Sequence, residues 1–477
     1  MPYQTPYPTP DDQEVSEVGS AHLMSRRVAL LHRGRIPVLA IATMLVIGAS
    51  YVRWSPHAGQ RSAVVAPNDA ALTQSARTDR AEVSRLIGEF ERQVSGQPNA
   101  TGLTFLAQLY LRRGRLSGDV ASYAQAHAAI DQSLAMRPDD TETRGLLASV
   151  LATTHDFVAA ADVANAVLAD APSDLNALAV LGDAQLEIGA YDSARQTYDN
   201  LAKQSPDGAA ALVRQARLAF LTGRVEDAVG FADRAKQQAT ASAFGDAGLA
   251  FYSTFQAQLE HDAGHYDKAA SLYQKALRES PGYYIALAGL GRERAAQGRT
   301  DDAVRAYEQA VATVPQPETL AALGDLYQLR HDPVRAQAQY DAVGVIATLA
   351  NLNKQVYNRA LAAYEADHDI LVDDALRLAT AELAIRHDIY GYDIYAWALY
   401  KNQRYAEARQ AAVEALTLGT PDARLLYHAG MIDAALGSHA AAIDELSRAL
   451  KLSPHFDPIQ ARFARSALAD ETTRVHP

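Results

Sequence analysis

Adjacent histidine and aspartate residues recur along the chain, and such pairs can act in general acid–base catalysis. The pairs are His155-Asp156, His261-Asp262, His331-Asp332, His368-Asp369 and His387-Asp388. His155 and His331 fall in predicted turns between two helices. There Asp156 and Asp332 are placed to accept hydrogen bonds from the first backbone amides of the next helix. We therefore interpret these residues as turn and cap residues rather than as catalytic groups.

Other signals of catalysis are also missing from the sequence. It contains no Gly-rich phosphate loop, no H-E-x-x-H and no G-x-S-x-G. It has no cysteine, which excludes disulfides, thiolate catalysis and Cys-ligated zinc. We expect no enzymatic activity, no catalytic residue, no cofactor, no metal and no small-molecule substrate. The alternative is a solenoid enzyme that acts on envelope glycan or peptide, which would need convergent titratable groups in a groove.

A repeated unit, clearest in Tyr284–Pro315, accounts for most of the chain. Pro138, Pro172 and Pro206 stand 34 residues apart, as do Pro281 and Pro315. A fixed period of this size predicts stacked copies of one small unit rather than one large globule. A single copy cannot bury its own apolar face, so neighbouring copies must cover it.

The residues of this unit predict two packed helices. Gly291 and Ala303 are small enough to let the helices approach, while Leu290 and Tyr307 fill the space between them. Gly298 and Asp301 suit a turn followed by a helix N-cap, and a proline ends the second helix or opens the next.

These residues resemble the signature of the tetratricopeptide repeat. Three copies of it are Leu290-Gly291, Ala303, Tyr307, Ala310 and Pro315; Leu181-Gly182, Ala194, Tyr198, Leu201 and Pro206; and Leu323-Gly324, Tyr327, Ala336, Tyr340 and Val343. The resemblance covers about residues 100–470. It implies an all-α, right-handed superhelical solenoid of helix pairs, with a concave groove that holds proteins or peptides and no catalysis.

Ten such repeats are predicted over residues 103–454. The first has an unusually long turn, Arg112–Ser122, and the eighth, about 353–388, is the most degenerate. Residues 79–98, with a helix over Asp79–Val94, are predicted to cap the N-terminal end. Residues 455–477, with a helix over Phe456–Asp470, are predicted to cap the other end, because terminal repeats need a cover with a polar outer face.

The N-terminal segment predicts a membrane anchor. Residues 1–25 have no apolar period and read as a disordered tail. Ile36–Val52 contains no charged residue, and with Trp54 it predicts a transmembrane helix over 36–54. Arginines are in excess before this span, so the tail is expected in the cytoplasm and the repeats outside it. A cleaved signal peptide is the alternative, although no A-x-A site follows. Residues 55–78 read as a flexible linker.

The expected partners are other proteins or peptides, bound in the groove. The resemblance places certain first-helix positions on the concave side: Asp183, Arg217, Phe220, Arg292, Asp325, Gln328, Trp397, Tyr400 and Tyr427. Aromatic and arginine side chains suit partner anchoring, although Phe220 and Trp397 could equally be interhelix packing. The net charge of −12 and the lack of a basic cluster argue against nucleic acid. We expect a scaffold for envelope complex assembly, with a self-assembling structural spacer as another alternative.

Overall fold

The computed structural model describes residues 80–117, 121–242, 246–352 and 358–475. Within these ranges every regular element is an α-helix, and there are 22 of them. The helices are α1 (Arg80–Gly96), α2 (Ala100–Ser117), α3 (Ala121–Met136), α4 (Thr141–Thr153), α5 (Phe157–Asp170), α6 (Leu175–Glu187), α7 (Tyr191–Gln204), α8 (Ala209–Leu221), α9 (Val225–Ala241), α10 (Asp246–Asp262), α11 (Tyr266–Glu279), α12 (Tyr284–Ala296), α13 (Thr300–Thr313), α14 (Pro317–Leu329), α15 (Pro333–Leu352), α16 (Asn358–Asp367), α17 (Val372–Leu383), α18 (Ile389–Lys401), α19 (Tyr405–Ala415), α20 (Ala423–Ala435), α21 (His439–Leu452) and α22 (Gln460–Val475).

The helices form ten consecutive hairpins between two single end helices. Repeat 1 is α2 and α3, repeat 2 is α4 and α5, and so on to repeat 10, which is α20 and α21. α1 packs on α2, and α22 packs on α21. The predicted solenoid of helix pairs is therefore confirmed for the described residues.

Small residues set the distance between the two helices of a hairpin, as the sequence predicts. A Cβ placed on Gly291 would lie 2.8 Å from the Tyr307 ring, and one placed on Gly182 would lie 2.4 Å from the Tyr198 ring. Ala303 is fully buried at the same contact. Each tyrosine therefore packs into the space that the missing glycine side chain leaves.

Several predicted boundaries need correction. Residues 112–117, predicted as part of a long turn in repeat 1, are helical, because α2 continues to Ser117. Asp301 is not the N-cap of α13; Arg299 is, and Asp301 lies in the first turn. The last helix begins later than Phe456, because the Asp457 carboxylate accepts hydrogen bonds from the Ile459 and Gln460 amides and caps α22. α1 agrees with the predicted capping helix to within two residues.

The predicted tail, transmembrane helix and linker, residues 1–78, lie outside the described residues. Among the helices that the structure describes, none combines the length and the apolar character needed to cross a bilayer.

Candidate functional site

Two of the histidine–aspartate pairs, His155-Asp156 and His331-Asp332, adopt the structural roles predicted for the turns. His155 and His331 both have a positive φ, as glycine has in the corresponding turns of other repeats. The Asp156 carboxylate accepts a hydrogen bond from the Ala159 amide at 3.2 Å, and that of Asp332 accepts one from the Arg335 amide at 3.1 Å. The capping interpretation is confirmed for these two pairs, while the absence of catalysis stays a prediction.

Four of the predicted groove residues lie inside the protein. Phe220 packs among Ala216, Ala228 and Leu259, so for this residue the packing alternative holds. Asp183 is buried and forms an ion pair with Arg214 at 2.6 Å. These two side chains are occupied by contacts within their own repeat and with the next repeat along the chain.

Trp397 and Tyr427 are the other two buried groove residues. Trp397 is 2% exposed; its indole stacks between Tyr400 and His428, and its Nε1 donates to Asp367 at 2.8 Å. Tyr427, also 2% exposed, packs against the rings of Trp397 and Phe456. The expectation of exposed aromatic anchors is therefore wrong here, since the rings cover one another.

The remaining five predicted residues retain exposed surface. Tyr400 is half-buried in the aromatic stack, Gln328 is exposed, and Arg217 is held by Glu187 at 2.6 Å. Arg292 donates to Gln258 and to the Tyr273 hydroxyl, at 2.9 and 3.0 Å. Asp325 accepts hydrogen bonds from the Tyr340 hydroxyl at 2.7 Å and from His368 Nε2 at 2.8 Å. Most of this set is thus already engaged in hydrogen bonds or ion pairs.

The structure also brings distant repeats together along a contact that we call the seam. Its two sides are the turns inside repeats 3–5 and the loops that follow repeats 8–10. A Cβ on Gly189 would lie 2.3 Å from the carbonyl oxygen of His387, and one on Gly264 would lie 2.8 Å from that of Leu452. Both glycines have a positive φ, which favours glycine. The turns can approach so closely because they have no side chain at these positions.

Hydrogen bonds run along the same seam. The Ile389 amide donates to the Tyr191 hydroxyl at 2.7 Å, and the Thr420 hydroxyl donates to the carbonyl oxygen of Leu221 at 2.7 Å. The hydroxyls of Tyr266 and Ser453 form a third bond. Regular partners over three successive repeats make the seam a continuous interface rather than one chance contact.

A buried charge cluster fastens one end of the seam. Its members are Arg217, Arg359, Arg386, Glu187, Glu382 and Asp388, three arginines and three carboxylates. Glu187 in repeat 3 contacts Arg386, which follows repeat 8, at 3.2 Å. Burial alone would raise the pKa of Glu187, but Arg386 and Arg217 outweigh it and hold that pKa at about 2. The cluster is neutral overall, so its charges compensate one another out of water.

A second polar group stays partly open. We call it the concave polar wall, because the family resemblance places two of its members, Arg292 and Asp325, on the concave side. The other members are Asp367, Arg424 and Asp457. The Arg424 side chain is 40% exposed, and its guanidinium nitrogens lie 4.0 Å from Asp367 and 3.9 Å from Asp457. These distances exceed those of hydrogen bonds. Burial raises the pKa of Asp457, and the charges of Asp325 and Asp367 add to the shift. The wall is thus a group of charged side chains that keep part of their surface open to solvent.

Sequence reasoning missed the seam and most of the wall. Arg386, Thr420 and Arg424 carry no motif of their own. One available signal was the recurrence of Gly-x-Tyr, at Gly189–Tyr191 and again at Gly264–Tyr266. Both tyrosines are the first residue of a second helix, directly after the turn, and both bond to a distant repeat.

The architecture defines a helical-repeat solenoid built from hairpins of near-constant length. Sequence profiles of the tetratricopeptide repeat match residues 111–174, 180–243 and 396–455, and a further such profile matches 260–326. The chain therefore belongs to the tetratricopeptide-repeat family, which confirms the resemblance read from the sequence. Repeats of this family generally mediate protein–protein interactions.

Among solved structures, similar chains include the human IFIT1 dimer with PPP-AAAA and PilW, a type IV pilus biogenesis factor. The first is 13% identical, with a TM-score of 0.43, and covers 85% of this chain and 99% of its own. The second is 15% identical, with a TM-score of 0.38, and covers 43% of this chain and 93% of its own. MamA is 18% identical, with a TM-score of 0.30, and its match covers 35% of this chain and 95% of the MamA chain. Curated protein sequences give no match.

Proposed function

We propose that this chain is a membrane-anchored scaffold that binds other proteins or peptides on its concave side during envelope complex assembly. The repeat family supports protein binding, and the concave polar wall is the part of the surface that we propose as the binding site. The exposed aromatic anchors expected from the sequence are buried, so the wall replaces them as the contact surface.

Arg424 carries this proposal. Its side chain is 40% exposed, and its own carboxylate neighbours stay beyond hydrogen-bonding distance. A carboxylate of a guest could therefore form the bidentate hydrogen bonds that Asp367 and Asp457 do not form. The aspartates of the wall would in turn attract basic groups. The preferred guest is a polar segment that carries charges of both signs.

Photo-crosslinking in native membranes tests the site. Gln328 is exposed and is predicted to lie on the concave side. A photoreactive residue at this position should capture a defined partner, and the Arg424→Ala change should reduce that product. The matched controls are a photoreactive residue at Asp444 and the Arg448→Ala change, on an exposed ion pair of α21. Equal capture from Gln328 and Asp444, or no effect of Arg424→Ala, would contradict concave binding.

The membrane topology rests on the sequence alone. The uncharged span Ile36–Val52 and the arginines before it support an anchor with the N-terminus in the cytoplasm and the repeats outside it. A reporter enzyme that works only outside the cytoplasm should be active when fused after Pro477, and one that works only in the cytoplasm should be inactive there. Activity of the cytoplasmic type of reporter would overturn this orientation.

A further inference from the structure

The seam joins two different surfaces of the solenoid. We call the row of turns inside the repeats the turn edge, and the row of loops between repeats the junction edge. In the seam, the turn of repeat 3 meets the loop after repeat 8, the turn of repeat 4 meets the loop after repeat 9, and the turn of repeat 5 meets the loop after repeat 10. In these three pairs the register is constant, because each turn contacts the loop five repeats further on. The Arg386 side chain of the loop after repeat 8 also reaches back to His155 and Phe157 at the turn of repeat 2.

Both edges continue beyond the seam. Gly298 and Gly437, in the turns of repeats 6 and 10, have the same positive φ as Gly189, but a Cβ added to either would meet no atom within 4 Å. The free part of the turn edge exposes large apolar side chains instead. Val334 in repeat 7 is 79% exposed, and Leu371 in repeat 8 is 63% exposed.

The free part of the junction edge exposes apolar side chains as well. Met136 ends α3, before the loop after repeat 1, and Leu175 begins α6, after the loop that follows repeat 2. Both are exposed. Large apolar groups thus stand on each of the two edges that pair in the seam, in the repeats that the seam does not cover.

The two end helices determine where a second copy would continue the solenoid. α22 follows repeat 10 in the position of a first helix, and α1 precedes repeat 1 in the position of a second helix. Placed end to end, α22 of one copy and α1 of the next complete one repeat. The second copy then begins as repeat 12 of a continuous series.

The register of the seam then pairs the exposed apolar residues with one another. The turn of repeat 7, with Val334, faces the loop after repeat 1 of the second copy, with Met136. The turn of repeat 8, with Leu371, faces the loop after repeat 2, with Leu175. The register comes from the internal contacts of one copy and is independent of these two pairings.

We propose that the free turn edge binds the free junction edge of a second copy of this chain, head to tail, in the register of the internal seam. Such a contact is heterologous and does not close, so it adds copies in a row. The outer face of α1 carries solvated charges such as Arg85 and Glu89, so the edges contribute the apolar part of the interface. This inference goes beyond guest binding and does not depend on the concave polar wall.

Mixed single-cysteine variants of the full chain test it, because the natural sequence has no cysteine. Leu371→Cys mixed with Leu175→Cys and a short bismaleimide should give a heterodimer. Leu371→Cys mixed with Val413→Cys, an exposed position on α19, should not. A dominant Leu371–Leu371 product, equal yields with the Val413 control, or no product would overturn the proposal.

Sedimentation of the full chain gives a second readout. The sedimentation coefficient should rise with concentration, and Leu371→Asp should weaken association about tenfold or more, since it removes a leucine from the interface. Leu371→Gly should do the same and suits the positive φ of this residue, so it separates lost association from lost folding. A full chain whose sedimentation does not depend on concentration, or an unchanged Leu371→Gly variant, would contradict the proposal.

Discussion

The seam can be tested by adding a single methyl group at Gly189. Alanine at a positive φ costs about 1–2 kcal/mol by itself. At Gly189 the new Cβ would also lie 2.3 Å from the carbonyl oxygen of His387. Because a backbone atom cannot rotate away, the two turns must separate, and crowding of this kind costs roughly a further 1–3 kcal/mol. Gly189→Ala should therefore lower the free energy of unfolding by about 2–5 kcal/mol.

Gly298→Ala is the matched control, because Gly298 has φ 71° but a Cβ there meets nothing within 4 Å. It should cost only the backbone term, about 1–2 kcal/mol. Urea unfolding measures the two losses, and hydrogen exchange localises them. The Ile389 amide, bonded to the Tyr191 hydroxyl, should exchange faster in Gly189→Ala and not in Gly298→Ala. Equal losses of stability and an unchanged Ile389 rate would refute the reasoning.

Three further predictions follow from buried groups. Arg386→Ala should lower the free energy of unfolding by about 3–5 kcal/mol, because it leaves Glu187 and Glu382 buried without this partner. The control Arg448→Ala, on an exposed pair, should lower it by about 0–1 kcal/mol. Urea unfolding measures both losses. Gly182→Ala should lower the melting temperature, since its Cβ would lie 2.4 Å from the Tyr198 ring, whereas Gly230→Ala, with open space around it, should not; equal effects would contradict this packing. Stability should also fall as pH rises from about 5 to 9. Burial raises the pKa of Glu365 to about 8, above its value of about 4.3 in the unfolded chain. The stability that this group contributes is therefore fully present below a pH of about 4.3 and is lost as pH rises through about 8. Burial lowers the pKa of His368, but the hydrogen bond to Asp325 outweighs it and raises that pKa to about 9. The stability that His368 contributes is therefore present below a pH of about 6.5 and is also lost as pH rises through about 9. Thermal unfolding of the full chain at pH 5.5 and 8.5 checks the sign, and Glu365→Gln should reduce the slope; a melting temperature that rises with pH would contradict it.

Local sequence was sufficient to predict the hairpins. Gly291 facing Tyr307, and Ala303 beside them, are contacts within about 16 residues of chain, so their spacing reflects their packing directly. The turn glycines were predictable for the same reason. Helix ends were less predictable, because a single capping carboxylate such as that of Asp457 can change the residue at which a helix begins by several positions.

The concave side was harder to predict, because its chemistry depends on how the superhelix curves. Trp397 was correctly placed on a first helix, but its burial follows from Tyr400 and from His428 in the next repeat. The contact between Glu187 and Arg386 joins residues almost 200 positions apart. Nothing in the sequence around either residue specifies this contact. The contact depends on the path of the superhelix, which accumulates from small rotations between successive repeats.

The distance across the seam tests the account most directly. In the cysteine-free full chain, spin labels at Arg224 and Thr417 flank the close approach of Gly223 to Gly419, where a Cβ on Gly223 would lie 3.2 Å from the Gly419 carbonyl oxygen. Pulsed electron paramagnetic resonance should give one short and narrow distance distribution, broadened and lengthened by Gly189→Ala. A long or broad distribution in the parent chain would show that repeats 3–5 and 8–10 do not meet, and the seam, the buried charge cluster and the register of the second copy would fail together.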